Sequence, residues 1–313
     1  MATVQMEITS ACHKSCANCS RFCGHYRPPW FMSFDQFKEA IDSMVGYPRM
    51  VGFQGGEPLL HPEFERFCAY AKEKIGYKKL GLWTALPNGF EHHRKTICET
   101  FYYIFVNDHS RDDIFHHPGL VAIEEVVKDK NHMWQMIDRC WVQETWSASI
   151  NPKGAFFCEM AAAQAVLFPD EDHQGWKVEP GWWWRTTKDY REQIEKWCPR
   201  CGFACPLDRK SSVTGVDELS PMNYDRLKAT SPKIARGMCK VSDLKMADSE
   251  KPLAAYKNNA YRERIARRYG IFLVVNSDDT SCFDGGSYWT PYLYNNFSLD
   301  RAERSISSML EER

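Results

Sequence analysis

Cys12-His13-Lys14-Ser15-Cys16-Ala17-Asn18-Cys19 places three thiols within eight residues near the amino terminus, and Gly55-Gly56-Glu57-Pro58 follows further along the chain. Three thiolates can hold three corners of a metal cluster. A [4Fe–4S] cluster normally takes four cysteine ligands, so this loop leaves one iron open. An open coordination position marks a reactive metal site, whereas closed sites are structural. The plainer alternative is a zinc knuckle or a chance grouping of cysteines, and the second motif in the right order weighs against it.

The C-x3-C-x2-C spacing resembles the signature of radical S-adenosylmethionine (radical SAM) enzymes, and Gly55-Gly56-Glu57-Pro58 looks like that family's second motif. The resemblance implies that Cys12, Cys16 and Cys19 hold a [4Fe–4S] cluster whose open iron binds the amino and carboxylate groups of SAM. An electron from the cluster then cleaves SAM to methionine and a 5′-deoxyadenosyl radical, which abstracts hydrogen from the substrate. The cofactor carries the difficult chemistry and the protein orients it. On this reading Gly55 and Gly56 let backbone approach SAM without a Cβ, Glu57 lies near the SAM ammonium, and Pro58 completes the motif. One departure is Asn18, where the family usually has an aromatic residue beside adenine. That bears on adenine contact and not on cluster binding. An external electron donor of the flavodoxin or ferredoxin type is implied as a partner.

With 313 residues, 43% apolar and 26% charged, the chain has a globular composition, which argues against disorder. A formal net charge of −1 argues against a general nucleic-acid or membrane-surface binder. No run of 18 apolar residues and no signal-peptide pattern is present, so the expectation is a cytoplasmic protein without a membrane segment. Thirteen cysteines, an odd number at short spacings, favour metal binding over a disulfide framework.

In chain order, Thr3–Thr9 alternates polar and apolar residues and reads as a first strand, with the cysteine loop at its carboxyl end. Ser33 and Gln36 form a capping-box pattern that opens a helix with Phe34, Phe37, Ile41 and Met44 on one face, ending at Gly46. Met50–Gln54 is a short buried strand ending at the Gly-Gly-Glu-Pro turn, so both motifs share one rim. Helix 61–75, strand 80–85, helix 91–99 and strand 102–106 continue the alternation, with Cys68 and Cys98 as core residues. Asn107 and Asp108 stand after the fourth strand. There they serve either as local turn caps or, as the resemblance implies for Asn107, as contacts to the SAM ribose. Segments 120–128 and 132–140 look helical, and His109, His116, His117 and His132 read as solvated or satisfied histidines. The expected fold class is α/β: a shortened partial radical SAM β/α barrel in residues 1–139, with later strands reduced or supplied from the C-terminal part.

A second cysteine set follows. The stretch 144–158 reads as a β-hairpin turning at Asn151-Pro152-Lys153-Gly154, with Cys140 before it and Cys158 at its end. Cys198-Pro199-Arg200-Cys201 comes after a helix at 190–197. A C-x17-C pair and a distant C-x2-C supply four thiolates, the complement of a closed [4Fe–4S] cluster, although four cysteines bind zinc as readily. The arrangement resembles the twitch domain, a shorter relative of the SPASM domain, and its spacing looks most like that of the radical SAM dehydrogenases acting on aminocyclitols. This implies an auxiliary [4Fe–4S] cluster on Cys140, Cys158, Cys198 and Cys201 within a small α+β domain spanning 140–240. Residues 241–313 would form an α/β extension packing on the core. Cys23, Cys205, Cys239 and Cys282 have no assigned role, and neither does the catalytic base. The acidic stretch 170–172 and Trp182-Trp183-Trp184 read as packing under a loop more than as a pocket wall. Residues 206–250 look like a connecting segment with little core. A basic helix over 254–268 presents a solvated face, 271–275 is a buried strand, and 298–311 is a polar helix.

The function expected from the resemblance is a radical SAM oxidoreductase. The adenosyl radical takes hydrogen from a C–H bond of a small polar substrate (a sugar, cyclitol or glycoside of natural-product biosynthesis) and the auxiliary cluster accepts the electron. Epimerisation is the alternative, with a cysteine returning hydrogen from the opposite face. Cys205 is the donor candidate there, against the plainer role of an inert buried thiol. Ribosomal-peptide maturation is a third reading, but its enzymes often carry a leader-binding domain, for which the residues before the first strand leave no room.

Overall fold

The computed structural model describes residues 1, 3–107, 109, 112, 114–140, 142, 147–168, 175–186 and 188–246, together with the backbone of two further strands, Ile271–Val275 and Tyr288–Pro291. Four parallel strands and three helices open the chain: β1 (Thr3–Thr9), α1 (Phe34–Ser43), β2 (Met50–Gly55), α2 (Phe64–Ile75), β3 (Leu80–Thr84), α3 (Arg94–Thr100) and β4 (Tyr103–Asn107). The pairings Val4 with Val51, Gly52 with Gly81, and Leu82 with Ile104 fix their register. The capping box that starts α1 is formed: Gln36 N donates to Ser33 Oγ at 3.2 Å and Ser33 N to Gln36 Oε1 at 3.1 Å. Phe37 of α1 stacks on Phe67 of α2 with ring centroids 3.9 Å apart, so the helical periodicity of both segments closes over one core.

Short pieces follow: β5 (Phe115–His116), α4 (Ile123–Val126) and α5 (Lys130–Asp138). The chain then returns to the sheet. β6 (Ser147–Asn151) lies parallel to β1 on its free side, pairing Thr3 with Ser147 and Met6 with Ile150, and β7 (Gly154–Phe156) folds back antiparallel as the expected hairpin. The hairpin of the second cysteine set is thus continuous with the main sheet. At the other edge β11 (Ile271–Val275) runs antiparallel to β4, with β12 (Tyr288–Pro291) beyond it, so a strand from the C-terminal part extends the sheet. The full order is β12-β11-β4-β3-β2-β1-β6-β7, a mixed α/β architecture dominated by parallel pairs. No described helix is long and apolar enough to cross a membrane.

Both faces of β1 are buried. Val4, Met6 and Ile8 enter the core under α1 and α2, while Gln5 and Glu7 are buried on the opposite face, where the chain supplies polar partners. After β7 come α6 (Glu159–Leu167), α7 (Arg191–Trp197), β8 (Lys210–Ser211), β9 (Asp217–Leu219), α8 (Pro221–Leu227), α9 (Pro232–Ala235) and β10 (Cys239–Val241). Here the expectation of a connecting segment with little core fails: Asp217, Leu219, Ser220, Asn223, Leu227 and Lys233 are all buried. Most of these side chains are polar and are held by partners, so hydropathy does not reveal them. The helix expected over 120–128 shrinks to α4 because Leu120 O accepts from Ser220 N at 3.1 Å and Asn223 Nδ2 at 2.9 Å, and is not available to a helix. Trp182 and Trp183 pack in the main core, with Trp183 edge-on to Tyr47 at 5.3 Å, whereas Trp184 is exposed. Asp108, the acidic stretch 170–172, Cys282 and the segments 254–268 and 298–311 lie outside the described residues.

Candidate functional site

The cysteine loop leaves β1 at Thr9 and the Gly-Gly-Glu-Pro turn leaves the neighbouring β2, at the same edge of the sheet. The two segments are joined by their backbones: Gly56 N donates to Thr9 O at 2.6 Å and Glu57 N to Ala11 O at 2.7 Å. A Cβ on Gly55 would overlap Thr9 O and one on Gly56 would overlap Ala11 O. The described role of the two glycines is therefore close approach to the cysteine loop itself. Gly56→Ala is expected to destabilise the protein by about 3 kcal/mol, the upper end for overpacking, because the clash is with backbone that no rotamer change relieves; denaturant unfolding of the variant measures it.

Glu57 is buried and fully engaged. Its Oε1 accepts from Thr84 Oγ1 at 2.7 Å and Leu59 N at 3.2 Å, and its Oε2 accepts from Ala85 N at 2.7 Å. Burial pushes its carboxyl up to about 7, against the pull of these donors. It ties the β2 end to the β3 end. Pro58 begins the next 3-10 turn and is buried. Asn107 closes β4, and its Oδ1 is buried without a hydrogen-bond partner among the described residues.

Cys12, Cys16 and Cys19 are half-buried and face one another, and the structure brings in a fourth thiol, Cys23. Cys23 Sγ is in hydrogen-bonding contact with both Cys12 and Cys19. Burial, then the neighbouring Cys19 and Cys12, push Cys16 up to about 12. Cys19 is drawn down, first by the Cys23 thiol and then, against burial, by the backbone N–H groups of Cys23 and Arg21. A loop that converges four thiols fits a group that binds them as thiolates.

Three anchors hold this loop. Arg21, two residues after Cys19, is buried: Nη1 donates to Glu7 Oε1 and Glu159 O, both at 3.0 Å, and Nη2 to Gln5 Oε1 at 2.8 Å and Glu159 Oε2 at 2.5 Å. It joins the loop to β1 and α6. Arg21→Met is expected to cost about 3–5 kcal/mol in chemical denaturation, because it strands the buried Glu7 carboxylate without its cation. The second anchor is Asp217, whose Oδ1 accepts from Lys233 Nζ at 2.8 Å and from Asn18 N, while His25 Nε2 meets Oδ2 at 2.8 Å. Lys233 Nζ also donates to Cys16 O at 2.8 Å, and Asn18 Oδ1 accepts from Glu218 N at 2.9 Å. Burial alone would raise the Asp217 carboxyl, but His25 and Lys233 hold it below the usual range. In the third, His116 Nδ1 donates to Ala17 O at 2.7 Å.

His25, Asp217 and Cys239 bring ligand atoms within 4.8 Å of one another. Asp217 is already occupied by Lys233, Asn18 and His25, so this trio is an ion-pair knot bracing the loop and not a metal site.

The second set also converges. Cys140 follows α5, Cys158 precedes α6, and Cys198 and Cys201 flank the turn after α7; all four line one apolar cavity with Phe157, Met160 and Trp197. Burial raises the Cys158, Cys198 and Cys201 thiols, and the neighbouring Cys140 adds to it for each. Cys205 is buried in a separate apolar cluster with Val121, Ile123, Met133 and Leu207, the packing role expected of an inert thiol.

Sequence reasoning left Cys23 unassigned, although its place four residues beyond Cys19 was a usable signal. It missed Arg21, Asp217 and Lys233, which no local pattern marks: Asp217 lies 199 residues from its partner Asn18.

No family model matches the chain, and no curated protein matches it. Among solved structures it is similar to the crystal structure of BtrN in complex with AdoMet and 2-DOIA, with a TM-score of 0.44 and 14% identity, covering 64% of this chain and 92% of that one.

Proposed function

We propose that the chain is a radical SAM oxidoreductase with two [4Fe–4S] clusters. The observation that carries this reading is the convergence of the three-cysteine loop, locked by its backbone to the Gly-Gly-Glu-Pro turn at the carboxyl ends of β1 and β2. Cys12, Cys16 and Cys19 would hold the first cluster, and Cys140, Cys158, Cys198 and Cys201 the second. When bound, the first cluster and SAM supply an adenosyl radical that takes hydrogen from a C–H bond. The residues of the chain do the rest. Asn107 Oδ1, with no partner among the described residues, is available to the nucleoside of SAM. Asn18 is in the left-handed region, and its Oδ1 accepts from Glu218 N of β9; on this reading an amide would take the place of the aromatic residue that the family usually sets beside adenine.

The auxiliary cluster, closed by four thiolates and walled by apolar side chains, suits an electron acceptor that binds no substrate. The substrate is a small polar molecule such as a sugar, cyclitol or glycoside, oxidised in the cytoplasm with an external flavodoxin- or ferredoxin-type donor.

Iron and sulfide assay of anaerobically prepared protein, followed by incubation with dithionite and SAM, tests the proposal. About eight irons per chain and release of methionine and 5′-deoxyadenosine are expected. Zinc without iron, with intact SAM, would end it.

A further inference from the structure

The sequence offers three thiols for the SAM-binding cluster, but four sulfurs share the loop. Cys23 is not a stray neighbour. It touches both Cys12 and Cys19, and its own backbone N–H donates to the Cys19 sulfur. The chain is turned back to put it there: Phe22, buried and at φ 55°, reverses direction immediately before it, and Phe22 N donates to Cys19 O at 3.0 Å. The 3-10 turn Cys23–His25 that carries the thiol is then clamped. Gly24 lies against the Lys233 side chain so closely that a Cβ would come within 2.7 Å of its Cδ. His25 is held on both ring nitrogens, by Ser231 Oγ at 2.7 Å and Asp217 Oδ2 at 2.8 Å. Asp217 and Lys233 reach across to Asn18 N and Cys16 O, so one buried knot sets the position of Cys23 and of the three-cysteine loop together.

We propose that the Cys23 thiolate is a fourth, exchangeable ligand, closing the iron that Cys12, Cys16 and Cys19 leave open until SAM displaces it. This rests on the cluster assignment above and adds a resting state to it. In the exchange the bond between iron and the Cys23 sulfur would break, and the SAM amine nitrogen and carboxylate oxygen would take its place. The proton that the SAM ammonium must lose would go to the departing thiolate, with no electron moved. Such a cap protects the labile iron while SAM is absent, since a cluster on three cysteines readily loses its fourth iron to give [3Fe–4S].

Wild type, Cys23→Ala and Cys23→Ser, each reconstituted anaerobically with iron and sulfide, are compared in two measurements. The first is the yield of the [3Fe–4S] EPR signal after one equivalent of ferricyanide without SAM, the auxiliary cluster being common to all three proteins. Cys23→Ala is expected to give several-fold more signal than wild type, with Cys23→Ser, which keeps an oxygen ligand and the size of the side chain, in between. The second is the SAM concentration that half-saturates the change in the EPR spectrum of the reduced cluster, expected to fall about tenfold in Cys23→Ala, where no thiolate must be displaced. Equal [3Fe–4S] yields and equal SAM half-saturation in all three overturn the Cys23 ligand while leaving the radical SAM reading intact. A SAM response absent in wild type but present in Cys23→Ala means a permanently closed site and also overturns exchange. A spectrum insensitive to SAM in every protein overturns the cluster assignment itself.

Discussion

Cys16→Ala is expected to abolish reductive cleavage of SAM, by on the order of 1000-fold or more, because on the proposed assignment the cofactor carries the chemistry and this thiol would hold one of its corners. Iron should fall by about four per chain, the content of one cluster. Cys16 is the informative choice among the three. Its carbonyl is fixed by the buried Lys233, so the loop around it keeps its anchor when the thiol is removed. The variant should therefore remain folded, and circular dichroism and denaturant unfolding check this. Loss of cleavage in a protein that unfolds like wild type then reports on the metal site and not on the fold.

Cys198→Ala with Cys201→Ala should separate the two halves of the chemistry. These residues line the second cavity with Cys140 and Cys158, far from the first loop in sequence. Removing two of four thiolates leaves too few ligands for a closed cluster, so iron is again expected to drop by about four per chain. Release of 5′-deoxyadenosine should persist, while formation of an oxidised product should fall at least about 100-fold, since on the proposed reading the substrate radical would lose its electron acceptor. The measurement is the ratio of deoxyadenosine to oxidised product: near one in wild type, and rising steeply in the variant. A ratio unchanged in iron-depleted variant would place the acceptor elsewhere.

Much of this architecture is legible in the chain because its signals are local. The polar–apolar alternation of Thr3–Thr9, the Ser33–Gln36 box and the turn at Asn151–Gly154 each depend on neighbours a few residues away, and each forms where it was read. The four thiols of the second set could be grouped by count, and the structure lines one cavity with them. What escapes is the set of charged residues that do not behave as surface. Arg21, Asp217 and Lys233 read as solvated in any hydropathy window, yet each is buried among partners contributed from elsewhere in the chain. Burial of a charge is tolerable only when it is paired and hydrogen-bonded, and pairing over such distances leaves no periodic trace. The same blindness made residues 206–250 look like a connector, although β9 and α9 supply the knot that braces the cysteine loop. Glu57 shows the converse. The motif resemblance points it toward a ligand, yet its carboxylate is held by Thr84, Leu59 and Ala85 and fastens adjacent strand ends.

The most direct test is spectroscopic. Protein reduced with dithionite is frozen with SAM carrying nitrogen-15 in its amino group, and electron–nuclear double resonance is recorded on the cluster signal. A hyperfine coupling to that nitrogen is expected, because the proposed assignment puts the amine on the iron without a permanent cysteine. Protein with a full complement of iron that shows no nitrogen-15 coupling, and the same spectrum with and without SAM, would contradict it.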